Sequence, residues 1–120
     1  MADPQDTGLD LDGLLARIHG NHGALTQLVG VMLTHLPTRI AAVRDAAGAG
    51  DIATLADCAH ALKGSLSNFT TGPSWKLASA VEQAARRGDA AGAIAQVSEL
   101  EVAVQAVQAE LQVWRDGDGA

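Results

Sequence analysis

The sequence predicts an all-α protein, an up-and-down antiparallel four-helix bundle with a short N-terminal helix packed across one end. Two observations support this fold. Apolar residues recur at intervals of three and four through most of the 120 residues, as in helices that bury one face. Turn-forming residues divide the chain into segments of about 15 to 25 residues, and helices of that length joined by short turns pack antiparallel to their neighbours.

The predicted turns combine a residue that ends one helix with a residue that begins the next. Gly20-Asn21, Gly50-Asp51 and Gly88-Asp89 follow this pattern, and Gly72-Pro73-Ser74 forms the remaining turn. Glycine readily takes the left-handed conformation found after a helix, and an Asn or Asp side chain accepts hydrogen bonds from the first N–H groups of a helix. These turns therefore predict five helical segments.

Each segment has an apolar face. The opening helix covers residues 9–18, and the segment at residues 74–87 has the weakest face. In the second segment the apolar positions continue past Pro37, which we interpret as the first residue of a second helical segment or as a kink, because proline disturbs a helix interior. The third and fifth segments have the sharpest faces: Ile52, Leu55, Ala59, Leu62, Leu66 and Phe69 in one, and Ile94, Val97, Leu100, Val104, Val107, Leu111 and Trp114 in the other.

We predict one domain over residues 8–115, with flexible tails at residues 1–7 and 116–120. The formal net charge of −6 argues against nucleic acid and against an anionic membrane surface as partners, and no apolar run is long enough for membrane insertion. Cys58 is the single cysteine, and the first residues lack the features of a signal peptide. These features favour a cytoplasmic protein, which we expect to be a monomer.

His60 stands out because helical geometry places it on the polar side of the third segment. At 100° per residue, it lies about 100° from Ala59 and about 160° from Leu62, both on the apolar face. The imidazole is therefore predicted to point to solvent from the middle of a helix. Four small or polar residues lie within two turns on the same side: Asp57, Lys63, Gly64 and Ser67.

The neighbours of His60 indicate a site for an anion. Imidazole is largely neutral near pH 7, so one ring nitrogen is available as a nucleophile. The ammonium group of Lys63 can reach an anion on the ring, for which a phosphoryl group is the obvious candidate, and Ser67 can donate a hydrogen bond to it. Gly64 costs about 0.5–1 kcal/mol relative to alanine in a helix interior. It would clear space for an incoming protein, or else allow tight packing of another helix.

The distribution of charge supports an anionic ligand. No Asp or Glu occurs in residues 58–81. Half of the eight basic residues, Lys63, Lys76, Arg86 and Arg87, lie within this stretch or just after it. A region depleted of acidic side chains is a suitable environment for a bound phosphoryl group.

The other histidines and the cysteine are poorer candidates for a site. His19 and His22 are separated by a predicted turn, and Cys58 points away from His60 on the same helix. The sequence contains no glycine-rich phosphate loop, no nucleophile elbow and no zinc motif. We therefore expect no metal site, no cofactor and no self-sufficient enzyme.

The segment AHALKGSLSNF, residues 59–69, resembles the signature of histidine-containing phosphotransfer (HPt) domains, roughly His-x-Leu-Lys-Gly-Ser followed by small residues and an apolar one. Residues 49–51, 81–82 and 85–89 are similar to further elements of that family, so the resemblance covers about residues 9–114. The matching residues of the signature are His60, Leu62, Lys63, Gly64, Ser65, Ser67, Asn68 and Phe69.

The resemblance implies a phosphorelay intermediate of a bacterial-type two-component system. His60 would accept a phosphoryl group from the phospho-aspartate of a response-regulator receiver domain and pass it to another receiver aspartate, with a hybrid sensor histidine kinase as a further partner. The protein would be a phosphocarrier and not an enzyme, because Mg²⁺ and most catalytic groups would come from the receiver. Lys63 and Ser67 would stabilise the phosphoryl group, and Gly64 would give the receiver clearance.

Two features depart from the family pattern. Leu66 occupies a position that is usually small, although helical geometry places it in the core, and residues 70–73 replace a short Gly-Ala turn. Some members orient the histidine with a glutamine from the following helix. Gln83 is a candidate for that role in this sequence.

Three alternatives stay open. The main one is a non-catalytic helical interaction module in which His60 is incidental. A histidine kinase dimerisation helix would have an acidic residue after the histidine and a proline a few positions on, whereas residues 61–64 read Ala-Leu-Lys-Gly. A metal site would need ligands from other helices, and no supplier is evident.

Overall fold

A computed structural model describes residues 7–118, and this part of the chain is helical without any strand. The all-α prediction is therefore confirmed. The helices are α1 (Leu11–Arg17), α2 (His22–Ala49), α3 (Ile52–Leu66), α4 (Pro73–Arg86), α5 (Ala90–Ala95) and α6 (Val97–Asp118).

The predicted helix caps are confirmed at the starts of α2, α3 and α5. Asn21, Asp51 and Asp89 each accept a hydrogen bond from the backbone N–H three residues further on. The glycine directly before each of them has a φ between 68° and 82°, where other L-residues are strained. Helix α4 instead has Pro73 as its first residue, a position where the missing N–H has no intrahelical partner to lose.

Helices α2, α3, α4 and α6 form a four-helix bundle. Both α2 and α4 pack against α3 and against α6, which places α2 and α4 at opposite corners. Helix α1 packs against α2, and Leu11 borders the same shallow pocket as Trp114 near the end of α6, so α1 lies at one end of the bundle. The largest fully buried side chains are Leu25, Leu36, Leu55, Leu62, Leu66, Leu100, Leu111, Val29, Val43, Val81, Val104 and Val107.

Two helix boundaries differ from the prediction. Pro37 lies inside the single helix α2, so the interpretation that it begins a second helical segment is wrong. Its side chain is exposed, and the apolar residues before and after it stay on the core side. The predicted last helix is divided at Gln96, whose side-chain amide donates to the carbonyl of Gly92 at 3.0 Å.

Thr7 and residues 116–118 of the predicted tails lie within the described residues. Thr7 is buried, its hydroxyl donates to Glu110 at 2.9 Å, and its carbonyl accepts a hydrogen bond from Thr70. Helix α6 continues past residue 116 to Asp118. Residues 1–6 and 119–120 lie outside the described residues. No helix within residues 7–118 is both long and apolar enough to cross a membrane.

Candidate functional site

His60 lies on the outer side of α3, and its side chain is 65% exposed. Ala59 and Leu62, the two residues used to place it on the helix, are fully buried. The predicted division of α3 into a core face and an exposed face is confirmed at these positions. The ring is therefore accessible to a partner.

A buried carboxylate from the neighbouring helix α4 fixes one edge of this exposed ring. Oε2 of Glu82 lies 2.9 Å from Nδ1 of His60, and the Glu82 side chain is only 9% exposed. An ionised carboxylate can only accept, so Nδ1 carries the hydrogen in this contact. In the neutral ring, Nε2 then holds the lone pair, and it points away from Glu82.

Two cations contact the same carboxylate. Nζ of Lys63, from α3, lies 2.7 Å from Oε1, and Nε of Arg86, from α4, donates to Oε2 at 3.0 Å. The Lys63 ammonium group is thus in direct contact with the buried Oε1 atom. Arg86 also approaches Asp57, with 3.7 Å between the charged groups. Glu82 thus joins α4 to α3 through two side chains, His60 and Lys63, and Arg86 adds the contact with Asp57 of α3.

The charge on Glu82 follows from these contacts. Burial raises the pKa of the Glu82 carboxyl, but the hydrogen bonds and positive charges of Lys63 and Arg86, together with the bond from His60, outweigh it and hold the pKa below its ordinary value. Glu82 is therefore an anion at neutral pH. A buried anion of this kind is stable only with its cationic partners in place.

Comparison with known proteins identifies the family to which the chain belongs. The family model described as the Hpt domain matches residues 27–110, a range that includes both His60 and Glu82. The chain belongs to the Hpt domain family. Hpt domains are phosphocarriers, so this Hpt domain has a phosphotransfer role in two-component signalling and interacts with receiver domains.

A solved structure supports the same fold. The crystal structure of the HPT domain from the Hpt sensor hybrid histidine kinase of Shewanella is similar, with a TM-score of 0.54 and 20% sequence identity. The similarity covers 87% of this chain and 96% of that chain. No curated protein matched the chain.

Three further residues were predicted to act beside His60, namely Lys63, Gly64 and Ser67. Lys63 is adjacent to His60, but its ammonium group is paired with Glu82. A Cβ atom added to Gly64 would meet no atom within 4 Å, so tight packing of another helix does not explain this glycine. The Ser67 hydroxyl donates to the carbonyl of Gly64 at 2.8 Å, which directs its hydrogen into α3 and not toward His60. Its predicted role toward a phosphoryl group stays a prediction.

The sequence reasoning missed Glu82 and named its neighbour. Gln83 is exposed, and its amide donates to Ser79 at 3.2 Å, so its suggested role in orienting the histidine is wrong. The sequence spacing could have indicated that Glu82 is buried. Glu82 lies four residues after Ala78 and three before Ala85, both on the buried side of α4. A carboxylate at such a position needs a cationic partner on another helix.

The remaining candidates lie away from His60. The His22 ring stacks on Trp114 with 6.2 Å between centroids, and Cys58 is a half-buried free thiol. Within residues 7–118, no group of three or more His, Cys, Asp or Glu side chains is arranged to hold a metal ion.

Replacing Glu82 with glutamine should destabilise the fold at neutral pH and much less in acid. A carboxyl whose pKa is lowered by folding stabilises the folded state above its unfolded-state pKa, and this stabilisation is lost as the pH falls through the folded-state pKa. We expect a loss of about 1–3 kcal/mol at pH 7 that shrinks below about pH 4. Urea unfolding of both proteins across this pH range measures it.

The matched control for this prediction is Glu99→Gln. Glu99 is an exposed residue of α6, and its replacement should change the free energy of unfolding by less than about 0.5 kcal/mol at any pH. A Glu82→Gln effect that is the same at pH 7 and in acid would show that the carboxylate charge is not what stabilises this contact.

Proposed function

We propose that this Hpt domain accepts a phosphoryl group on Nε2 of His60 from a receiver phospho-aspartate and passes it to the aspartate of another receiver. The observation that carries the proposal is the hydrogen bond between Nδ1 of His60 and the buried carboxylate of Glu82. This bond keeps the hydrogen on Nδ1 and leaves the lone pair of Nε2 on the accessible side of the ring.

In the proposed transfer, the lone pair of Nε2 attacks the phosphorus of the receiver's acyl phosphate. The N–P bond forms while the bond from phosphorus to the aspartate oxygen breaks, and the aspartate leaves as a carboxylate. Because Nδ1 keeps its hydrogen, the ring gains a positive charge, which the anion of Glu82 stabilises across 2.9 Å. The reverse steps deliver the phosphoryl group to the second receiver.

The surface beside His60 supports a close approach by the receiver. Gly64 leaves open space one turn from the ring, and Ala61, next to His60, is small. Nε2 must come to about 3–3.5 Å from the phosphorus before it reacts, so bulky side chains beside the ring would prevent the reaction.

We further propose that Mg²⁺ comes from the receiver, since the buried carboxylate of Glu82 is already occupied by Lys63 and Arg86. The donor and acceptor receivers would belong to a hybrid sensor histidine kinase and a response regulator, and the similar Shewanella domain comes from a sensor hybrid histidine kinase. The domain would act as a monomer in the cytoplasm.

Incubation with a ³²P-phosphorylated receiver domain from the same organism tests this function. We expect the label to move to the Hpt domain and to be lost in acid but retained in alkali, as expected for a phosphoryl group on a histidine nitrogen. An acid-stable label, or no label with any receiver of that organism, would contradict the proposal. The alternative, a non-catalytic interaction module, predicts receiver binding without label.

Replacing Lys63 with alanine should shorten the lifetime of the phosphoryl group or slow its transfer by about three- to tenfold. The reason is that an ammonium group one turn from His60 can pair with the phosphoryl anion. Quenched-flow transfer and hydrolysis of the purified phosphoprotein measure both rates. Lys76→Ala, at an exposed lysine of α4, is the control and should change neither. Unchanged rates for Lys63→Ala would show that Lys63 pairs with Glu82 but does not act on the phosphoryl group.

A further inference from the structure

Trp75 has no part in the proposed transfer, yet its ring lies beside the Lys63 ammonium group. Nζ of Lys63 is 5.7 Å from the centroid of the Trp75 ring and 2.7 Å from Oε1 of Glu82. Trp75 and Glu82 are seven residues apart on α4 and therefore lie on one face, two turns from each other. The Lys63 side chain is only 23% exposed, although a lysine on an outer helix face usually extends its charge into water.

The contacts with Glu82 and Trp75 hold the Lys63 ammonium group away from Nε2 of His60. Glu82 contacts the Nδ1 edge of the His60 ring, and Nε2 points away from that edge. An ammonium group held on Glu82 therefore lies on the wrong side of the ring to pair with a phosphoryl group on Nε2. To form that pair, Lys63 must leave the position in which Glu82 and Trp75 hold it.

The contact with Trp75 adds to the ion pair between Lys63 and Glu82. A cation lying over a tryptophan face is attracted by the ring, and this adds to the preference of Lys63 for its observed position. Any interaction that is stronger in the unphosphorylated state shifts the phosphorylation equilibrium toward that state.

We propose that Trp75 is a positioning residue that holds Lys63 on Glu82 and thereby favours release of the phosphoryl group over its retention. The proposal rests on the proposed function of His60 and concerns the regulation of that site. Trp75 acts through Lys63 and contacts none of the reacting atoms. Its loss frees the ammonium group to pair with the phosphoryl anion, which stabilises the phosphorylated form.

The test measures the equilibrium distribution of the phosphoryl group between a phosphorylated receiver and the Hpt domain. Trp75→Leu should shift this equilibrium toward the Hpt domain by about two- to fivefold. Trp75→Phe keeps an aromatic ring and should restore most of the wild-type distribution. Trp114→Leu is the matched control, because this half-buried tryptophan stacks on His22 and should leave the equilibrium unchanged.

A double-mutant cycle separates positioning from a general structural effect. In a Lys63→Met background there is no ammonium group to hold, so Trp75→Leu should no longer shift the equilibrium. Three outcomes would overturn the proposal even if the wild type accepts label. Trp75→Leu could cause the full shift in the Lys63→Met background, cause no shift when Lys63 is present, or shift the equilibrium toward the receiver. Failure of the wild type to accept label would overturn the proposed function, and this proposal with it.

Discussion

The variant His60→Gln should take up no label from a phosphorylated receiver while keeping the stability of the wild type. Glutamine has no nucleophilic nitrogen, so the loss of transfer should be complete. Its amide can still donate a hydrogen bond to Glu82, and the His60 side chain is mostly exposed. We therefore expect the free energy of unfolding to change by less than about 0.5–1 kcal/mol, as measured by urea unfolding alongside the labelling assay.

Two controls make the His60 experiment decisive. His35→Gln replaces another exposed histidine, on α2, and should be labelled like the wild type. Binding of the unphosphorylated receiver should survive in His60→Gln, because the docking surface is retained. Label that persists on His60→Gln would place the phosphoryl acceptor on another residue. Unchanged signalling in cells that carry the variant would favour an interaction module in which His60 is incidental.

The features of the fold that could be predicted from sequence are those that local chemistry determines. Asn21, Asp51 and Asp89 cap helices because their side chains bond to backbone groups only three residues away. The course of α2 through Pro37 was not predictable in this way. A proline weakens an isolated helix, but packing of the apolar residues on both sides of it holds this helix together.

In the candidate site, too, features set within one helix were predictable from sequence, whereas contacts between helices were not. The exposure of His60 follows from helix geometry within α3 alone, and the sequence predicts it correctly. The contact with Glu82 depends on how α4 is placed against α3, and no spacing within one helix specifies that. Lys63 shows both effects, because its closeness to His60 was predictable while its pairing with Glu82 and Trp75 was not.

The structure also removes an ambiguity about Gly64. A glycine inside a helix destabilises it, and close packing of another helix is one explanation for its presence. Since a Cβ atom there would meet nothing within 4 Å, no packing reason exists within the described residues. The proposed explanation, clearance for a receiver, predicts that stability and transfer change in opposite directions.

The variant Gly64→Leu should be as stable as the wild type or more stable, and should accept the phosphoryl group at least about 100-fold more slowly. Leucine is a better helix former than glycine by about 0.5–1 kcal/mol, and a Cβ atom at the exposed position 64 meets no other atom within 4 Å. In the complex, that side chain would separate α3 from the receiver and keep Nε2 of His60 from the phosphorus. Stopped-flow or quenched-flow transfer and urea unfolding measure the two effects.

Gly30→Leu is the matched control for Gly64→Leu. Gly30 is also inside a helix with open space around it, and it lies about four turns before Arg44 on the side of α2 that contacts Glu101 of α6. This substitution should give a similar gain in stability and a wild-type transfer rate, because Gly30 belongs to α2, whereas His60 and Gly64 belong to α3. Equal transfer by Gly64→Leu and the wild type would refute the clearance role. A loss of stability in Gly64→Leu would instead show that Gly64 is required by the fold.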